Sequence, residues 1–116
     1  MEKLYDTAGI LKTHGNDQEF LKYIAALFVE HAPEMSAELQ KASRKKDWEN
    51  LHFYAHKMKA TIDLFCITSL TDVIRNLEKQ GRAATNSNTL KEDVNYVVKI
   101  IDACVVQLKK DFAIAR

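Results

Sequence analysis

The last quarter of the chain carries the most restrictive feature of the sequence, a run of apolar residues that repeats every three or four positions. This spacing matches the 3.6-residue turn of an α-helix and not the two-residue repeat of a strand, so it predicts one long amphipathic helix. A stripe of this length has to be buried against other helices. Its members are Leu90, Val94, Val97, Ile101, Val105, Leu108 and Phe112.

The same helical spacing recurs in three earlier segments, each preceded by a residue type that favours a helix start. The predicted starts are Asn16 with Glu19, Asp47, and Ser69 with Asp72, while Thr89 with Glu92 opens the last helix. Within the first segment, Pro33 is expected to begin a new helix or to kink the existing one. Gly81 is expected to end the third segment, because glycine is the usual residue just past a helix.

These segments predict the fold class. The sequence has only 3 Gly and 1 Pro, which leaves little of the turn chemistry that strands and hairpins need. A short additional helix is expected after Asp6, with Ile10 and Leu11 as its apolar contacts. Amphipathic helices joined by short connections pack as antiparallel neighbours. We therefore expect one all-α domain over residues 1–116, an up-and-down antiparallel four-helix bundle with a short extra N-terminal helix.

Composition excludes several classes of protein. Hydrophobic residues make up 47% of the chain and the formal net charge is +1, with no basic stripe of the kind that nucleic-acid-binding proteins carry. No stretch approaches the ~20 apolar residues of a membrane span, and the first residues lack the apolar run of a signal peptide. Cys66 and Cys104 form no paired motif and are expected to be buried and reduced. We expect a cytoplasmic monomer that binds neither nucleic acid nor membranes.

The polar face of the segment from Asp47 to about Phe65 points to chemistry. On a helical wheel of about 100° per residue, His56 lies roughly 140° from the centre of the apolar stripe, so we expect it to be exposed. A neutral imidazole is a competent nucleophile near neutral pH, and a lysine one turn later can pair with a phosphoryl charge. The residues predicted to share this face are Glu49, His52, Lys59, Ala60 and Asp63.

Residues 48–78, WENLHFYAHKMKATIDLFCITSLTDVIRNLE, resemble the histidine-containing phosphotransfer (HPt) domain family. The family carries an A-H-x-L-K-G block and, further on, two leucines seven positions apart with a glutamate after the second. Residues 5–48 are similar to the usual lead-in of the family, so the resemblance covers most of the chain. The matching residues are Ala55, His56, Met58 and Lys59 in the first block, and Leu70, Leu77 and Glu78 in the last.

What the resemblance implies is a phosphorelay intermediate, a phosphocarrier that has neither an ATP site nor autokinase activity. His56 would take a phosphoryl group from the aspartyl phosphate of a response-regulator receiver domain, such as that of a hybrid sensor kinase, and pass it to another receiver. Lys59 would stabilise the phosphoryl group, and Lys57 would have a minor electrostatic role. No cofactor is expected, because the metal ion belongs to the receiver. The residues expected to dock the partner are Phe53, His52, Ala60 and Asp63.

Three positions depart from the family pattern. Ala60 replaces a glycine but is still small. Cys66 replaces a second glycine, which normally ends the histidine helix in a left-handed conformation that is costly for cysteine. Asp63 adds a negative charge about 10 Å from His56 along the helix axis, a distance at which its effect in water is expected to be weak. These departures leave open an adaptor of the same fold that binds a receiver without transferring phosphate.

Two kinase alternatives differ in how far the sequence excludes them. A sensor-kinase dimerisation domain usually carries an H-E-x-x-x-P motif, whereas Lys57 follows the histidine here and Thr61 stands in place of the proline. The chain also lacks a glycine-rich phosphate loop. The HPt part of a hybrid kinase or of a chemotaxis-type kinase would look like this chain and stays open.

A metal site is the alternative from a different class. His52 and His56 form an i, i+4 pair, with Glu49 and Asp63 on the same face. We expect no metal, because two imidazoles on an open face lack the second shell of hydrogen bonds that orients metal ligands.

Overall fold

The computed structural model describes residues 2–114, which form five α-helices, one short 3₁₀ helix and, within this range, no β-strand. The prediction of an all-α chain is confirmed. The α-helices are α1 (Ala8–Thr13), α2 (Gln18–Lys45), α3 (Trp48–Leu64), α4 (Thr71–Ala83) and α5 (Leu90–Asp111), and the 3₁₀ helix Thr68–Leu70 leads into α4.

The apolar stripes predicted from the spacing meet in one core. The largest helix contacts are between α3 and α4, between α2 and α5, and between α2 and α3, with a smaller contact between α4 and α5. Two residues of α5 that the spacing did not include, Cys104 and Gln107, are also buried. The core stripes of α3 and α5 consist of Leu51, Ala55, Met58 and Ile62, and of Leu90, Val94, Val97, Ile101 and Leu108.

The start of α2 differs by one residue from the prediction. Asn16 has φ 62°, a left-handed conformation that ends the turn after α1 and is unlike the extended backbone of most helix caps. Asp17 is the cap instead, and its carboxylate accepts a hydrogen bond from the Phe20 amide at 3.0 Å. In α3 the prediction is confirmed, because Asp47 accepts the Asn50 amide.

Pro33 lies inside α2 and does not begin a new helix. Proline removes one amide donor from the hydrogen bonds of the helix, which lowers its stability. The long helix α2 tolerates this loss because its apolar face is buried. One turn later the Ser36 hydroxyl donates to the carbonyl oxygens of Ala32 and Pro33, both at 3.2 Å. The uninterrupted apolar face on both sides of the proline therefore outweighs the missing hydrogen bond.

Of the two later helix starts, the prediction for Ser69 is wrong, whereas Thr89 directly precedes α5 as predicted, although its side chain caps no amide. Ser69 lies within the 3₁₀ helix, and α4 begins with no side-chain cap at Leu70. The hydroxyl of Thr89 donates to Asp93 at 3.1 Å instead of accepting an amide of α5.

Gly81 does not end α4, because the helix continues to Ala83 and the left-handed residue after it is Ala84, with φ 51°. A left-handed residue also follows α2 and α3, at Lys46 with φ 54° and at Cys66 with φ 50°. In each case two amides just beyond the helix donate back to carbonyl oxygens of the last turn, as in a Schellman motif.

The segment before α1 is not helical and is held against the end of α5. Gln107 accepts the Leu4 amide at 3.0 Å and donates to the Glu2 carbonyl at 2.9 Å. The buried Tyr5 hydroxyl donates to Asp111, and the Asp6 amide donates to the Phe65 carbonyl at 2.9 Å. Among residues 2–114, none of the helices combines the length and the apolar character that crossing a bilayer requires.

Candidate functional site

His56 lies in the middle of α3 and its side chain is 63% exposed, whereas Met58 and Ile62 of the same helix are each 1% exposed. The prediction that His56 faces solvent is therefore confirmed. The helical period explains the contrast, since residues two and six positions away fall on the opposite side of the helix.

Glu78 of α4 lies directly against the His56 ring. Its side chain is only 6% exposed, and it is the one charged residue classed as buried in the part of the chain that the structure describes. One carboxylate oxygen, Oε2, lies 2.5 Å from Nδ1 of His56, and the other, Oε1, lies 3.0 Å from Nζ of Lys59. A buried carboxylate is costly unless it is paired, and both of its oxygens are paired here.

These contacts keep Glu78 ionised. The hydrogen bond from His56, followed by the one from Lys59, lowers the pKa of Glu78 to about 2, although burial acts in the opposite direction. An ionised carboxylate can only accept a hydrogen bond, so the proton between the two groups belongs to Nδ1 of His56. When the imidazole is neutral, its lone pair is therefore on Nε2, the nitrogen that Glu78 does not hold.

His52 is half-buried, less exposed than the sequence predicted. Its Nδ1 lies 3.2 Å from the backbone carbonyl oxygen of Glu78, and its ring stacks near that of His56 with centroids 6.1 Å apart. The ring of His52 is therefore anchored to α4 as well, one turn away from His56.

Phe53 and Lys57 form a pair on the outside of α3. Phe53 is 49% exposed, and the Lys57 Nζ atom lies 5.3 Å from the centroid of its ring. This is a cation–π arrangement, which places the ammonium group of Lys57 over the aromatic ring. Phe53 therefore lies on the surface of α3 and not in the core of the bundle.

Ala60 and Asp63 lie on two different sides of His56. Ala60 is exposed and lines a groove of about 880 Å³ between α2 and α3, together with Met35, Tyr54 and Lys57. Asp63 faces α4, where Arg75 contacts it at 3.3 Å. The negative charge that departs from the family pattern is thus paired with a cation.

Cys66 is exposed and has left-handed backbone geometry, which corrects the expectation that both cysteines are buried. The cysteine therefore adopts the conformation in which the family places a glycine. Cys104 is buried as expected, and burial raises its pKa to about 11. Both thiols are free.

Within residues 2–114 there is no group of three or more histidine, cysteine or acidic side chains placed to hold a metal ion. His52 and His56, the i, i+4 pair considered as metal ligands, both direct Nδ1 to Glu78. Asp63 accepts a hydrogen bond from Arg75.

The sequence matched Glu78 to the family motif but did not predict its contact with His56. A signal was present, because Glu78 lies four residues after Ile74 and three before Gly81, on the apolar face of α4. A charged residue within such a stripe has to find a partner. The identity of that partner depends on how α3 packs on α4, which the spacing does not specify.

Comparison with protein-family models, with curated proteins and with solved structures gives no match to this chain.

Proposed function

We propose that this chain is a phosphorelay intermediate of the HPt type, which accepts a phosphoryl group on Nε2 of His56 and transfers it to a second receiver domain. The observation that carries the proposal is the pairing of an exposed imidazole with a buried, ionised carboxylate at its other nitrogen. The tautomer held in this way leaves a nucleophilic lone pair directed away from Glu78.

The transfer would use only groups of this chain and of the receiver with its bound metal ion. The Nε2 lone pair attacks the phosphorus of the receiver's aspartyl phosphate, the N–P bond forms, and the bond from phosphorus to the aspartyl oxygen breaks to leave a carboxylate. The proton on Nδ1 stays in place, so the phosphorylated ring gains positive charge. Glu78 lies 2.5 Å from that nitrogen and stabilises this charge, as the aspartate of a catalytic triad stabilises an imidazolium.

Lys59 has two roles in the proposal. Its contact with Glu78 at 3.0 Å compensates the carboxylate, which would otherwise repel an incoming phosphoryl group. Its side chain is 28% exposed, so the ammonium group is also accessible to the phosphoryl oxygens. A single lysine thus balances the charge of Glu78 and assists the transferred group.

The receiver is proposed to dock on α3 and on the groove between α2 and α3. Ala60 leaves open space beside His56, and the exposed ring of Phe53 offers an apolar contact. His52 and Asp63 would border the receiver on the other side of His56, toward α4. The metal ion and the acidic pocket of the reaction would come from the receiver.

The arrangement of the helices belongs to the same proposal. Contacts between α3 and α4 pair His56 with Glu78 and Asp63 with Arg75, so later residues of one helix meet earlier residues of the other. This antiparallel order and the short connections support an up-and-down bundle of the four longer helices. We further propose a cytoplasmic monomer that neither binds ATP nor phosphorylates itself, either independent or as the HPt part of a larger kinase.

The direct test is to incubate the protein with a phosphorylated receiver domain and to locate the label. The phosphoryl group should appear on His56 as an acid-labile, base-stable modification, and His56→Gln should abolish it. The glutamine amide can still donate a hydrogen bond to the buried carboxylate of Glu78, so the fold should be retained at some cost in stability. His14→Gln is the matched control, because His14 lies beyond α1 and contacts the Ile10 carbonyl oxygen. Label that persists in His56→Gln would place the site elsewhere, and complex formation without label would indicate an adaptor.

Lys59→Ala should slow the transfer without preventing the receiver from binding. One charge-assisted hydrogen bond is worth roughly 1.5–3 kcal/mol, which corresponds to about a 10- to 150-fold slower reaction. Single-turnover transfer and receiver affinity should be measured separately, with Lys99→Ala on the exposed side of α5 as the control. An unchanged transfer rate would remove Lys59 from the mechanism.

A further inference from the structure

We propose that Gly81 is a positioning residue for His56, because its missing side chain lets α4 approach α3 closely enough for Glu78 to hold Nδ1. The effect on phosphoryl transfer rests on the function proposed above, whereas the effect on the imidazole does not. Gly81 is buried inside α4, and glycine within a helix is less stable than alanine by roughly 0.5–1 kcal/mol. Close helix contact at this position explains why a glycine is useful there.

The space at Gly81 is closed by backbone. A Cβ atom at this position would lie 2.4 Å from the amide nitrogen of His52 and 2.7 Å from its Cα, whereas ordinary contact begins at 3.4 Å. Backbone atoms of a packed helix cannot rotate away as the end of a long side chain can. An alanine would therefore move the two helices apart locally by about the 1.0 Å that separates 2.4 from 3.4 Å.

The contact of Gly81 with His52 and the contact of Glu78 with His56 lie on successive turns of the same helix pair. Three residues separate Gly81 from Glu78, a rise of about 4.5 Å, so a displacement at one contact reaches the other almost undiminished. An increase of about 1 Å would lengthen the 2.5 Å contact between Glu78 and His56 beyond the normal 2.7–3.2 Å range of such a bond. Nδ1 would then lose the partner that selects its protonated tautomer.

The experiment compares Gly81→Ala with Gly9→Ala, which makes the same substitution in α1 at a position where the added Cβ would meet nothing within 4 Å beyond its chain neighbours and the backbone of its own helix. Both are made in an Ala84→Gly background, which is expected to increase stability. Nitrogen-15 NMR of the histidine rings at alkaline pH reports which nitrogen carries the proton. We expect His56 to hold its proton on Nδ1 in the parent and in Gly9→Ala, and to populate both tautomers in Gly81→Ala, with His14 unchanged in all three.

Transfer from a phosphorylated receiver should be at least about 10-fold slower for Gly81→Ala, since a displacement of 1 Å can cost on the order of 10²-fold in rate. A folded Gly81→Ala protein that keeps the parent tautomer of His56 would overturn the inference. Absence of any transfer in the parent would overturn the proposed function alone, because the tautomer measurement still decides the role of Gly81.

Discussion

At the scale of single residues, the site depends on a carboxylate that is buried under an exposed histidine. Glu78 is separated from His56 by 22 positions in the chain and still forms its closest polar contact. A surface histidine with no partner would sample both tautomers and many ring orientations. The buried carboxylate restricts both, and Lys59 makes the burial of that charge tolerable.

This arrangement predicts how stability depends on pH. The pKa of Glu78 is about 2 in the folded protein and 4.5 for the free side chain, so the unfolded chain binds more protons between these values. The stabilisation is complete well above pH 4.5 and is lost as the pH falls through about 2. It amounts to about 3 kcal/mol at 1.36 kcal/mol per pKa unit. Glu78→Gln should remove this part of the acid dependence.

The measurement is denaturant unfolding at a series of pH values from 2 to 7. Glu49→Gln is the matched control, because Glu49 is an exposed carboxylate on the same face of α3. It should leave the difference between neutral and acid stability in place. An identical pH profile for Glu78→Gln and the parent protein would contradict the assignment of a buried, ionised Glu78.

At the scale of secondary-structure elements, Ala113 is left-handed just after α5, and α2, α3 and α4 likewise end in left-handed residues that are not glycine. Lys46, Cys66 and Ala84 occupy these positions with φ between 50° and 54°. The left-handed region costs an L-amino acid roughly 1–2 kcal/mol, and the two return hydrogen bonds at each helix end offset that cost. The protein is therefore less stable with these residues at its helix ends than it would be with glycine there.

Ala84→Gly should therefore stabilise the protein by about 1 kcal/mol, because glycine adopts the left-handed conformation without strain. Ala83→Gly, one position earlier and still helical, should instead destabilise it by up to about 1 kcal/mol. Thermal and denaturant unfolding of the two variants, side by side, give the signs directly. Effects of the same sign would show that the left-handed end is not the cause.

At the scale of the whole molecule, the first residues are tied to the last helix. Gln107 contacts both Leu4 and Glu2, more than 100 positions away in the chain, and Lys3 and Tyr5 both contact Asp111. Lys3, and then Tyr5, lower the pKa of Asp111. Burial, and then the hydrogen bond to Asp111, raise the pKa of Tyr5. The N-terminal segment is therefore part of the folded unit.

Gln107→Leu should release this segment while the helices stay folded. The Leu4 amide loses its acceptor, and an unpaired, partly buried amide costs roughly 1–3 kcal/mol. Hydrogen exchange should show faster exchange of the Leu4 amide, with a smaller effect at Asp6, whose amide is bonded to Phe65. Asn95→Leu, on the exposed side of α5, is the control. Unchanged protection of Leu4 would contradict the proposed tether.

The sequence by itself determined the helices and the exposure of His56, because both follow from a repeat of three or four residues that acts within one or two turns. Asp47 as the cap of α3 is equally local, since the contact spans three residues. The predicted helix starts at Asn16 and Ser69 and the predicted helix end at Gly81 were wrong. At these positions two backbone conformations have similar energies, and packing against distant parts of the chain decides between them.

Only the tertiary structure decided which atoms meet across the helices. The ion pair of Glu78, the partner of Asp63 and the close approach at Gly81 depend on the distance and register between α3 and α4. A shift of one turn in this register would give His56 a different neighbour. Periodicity specifies which face of each helix is buried, whereas side-chain volume at the interface sets the ångström-scale spacing on which the proposed chemistry depends.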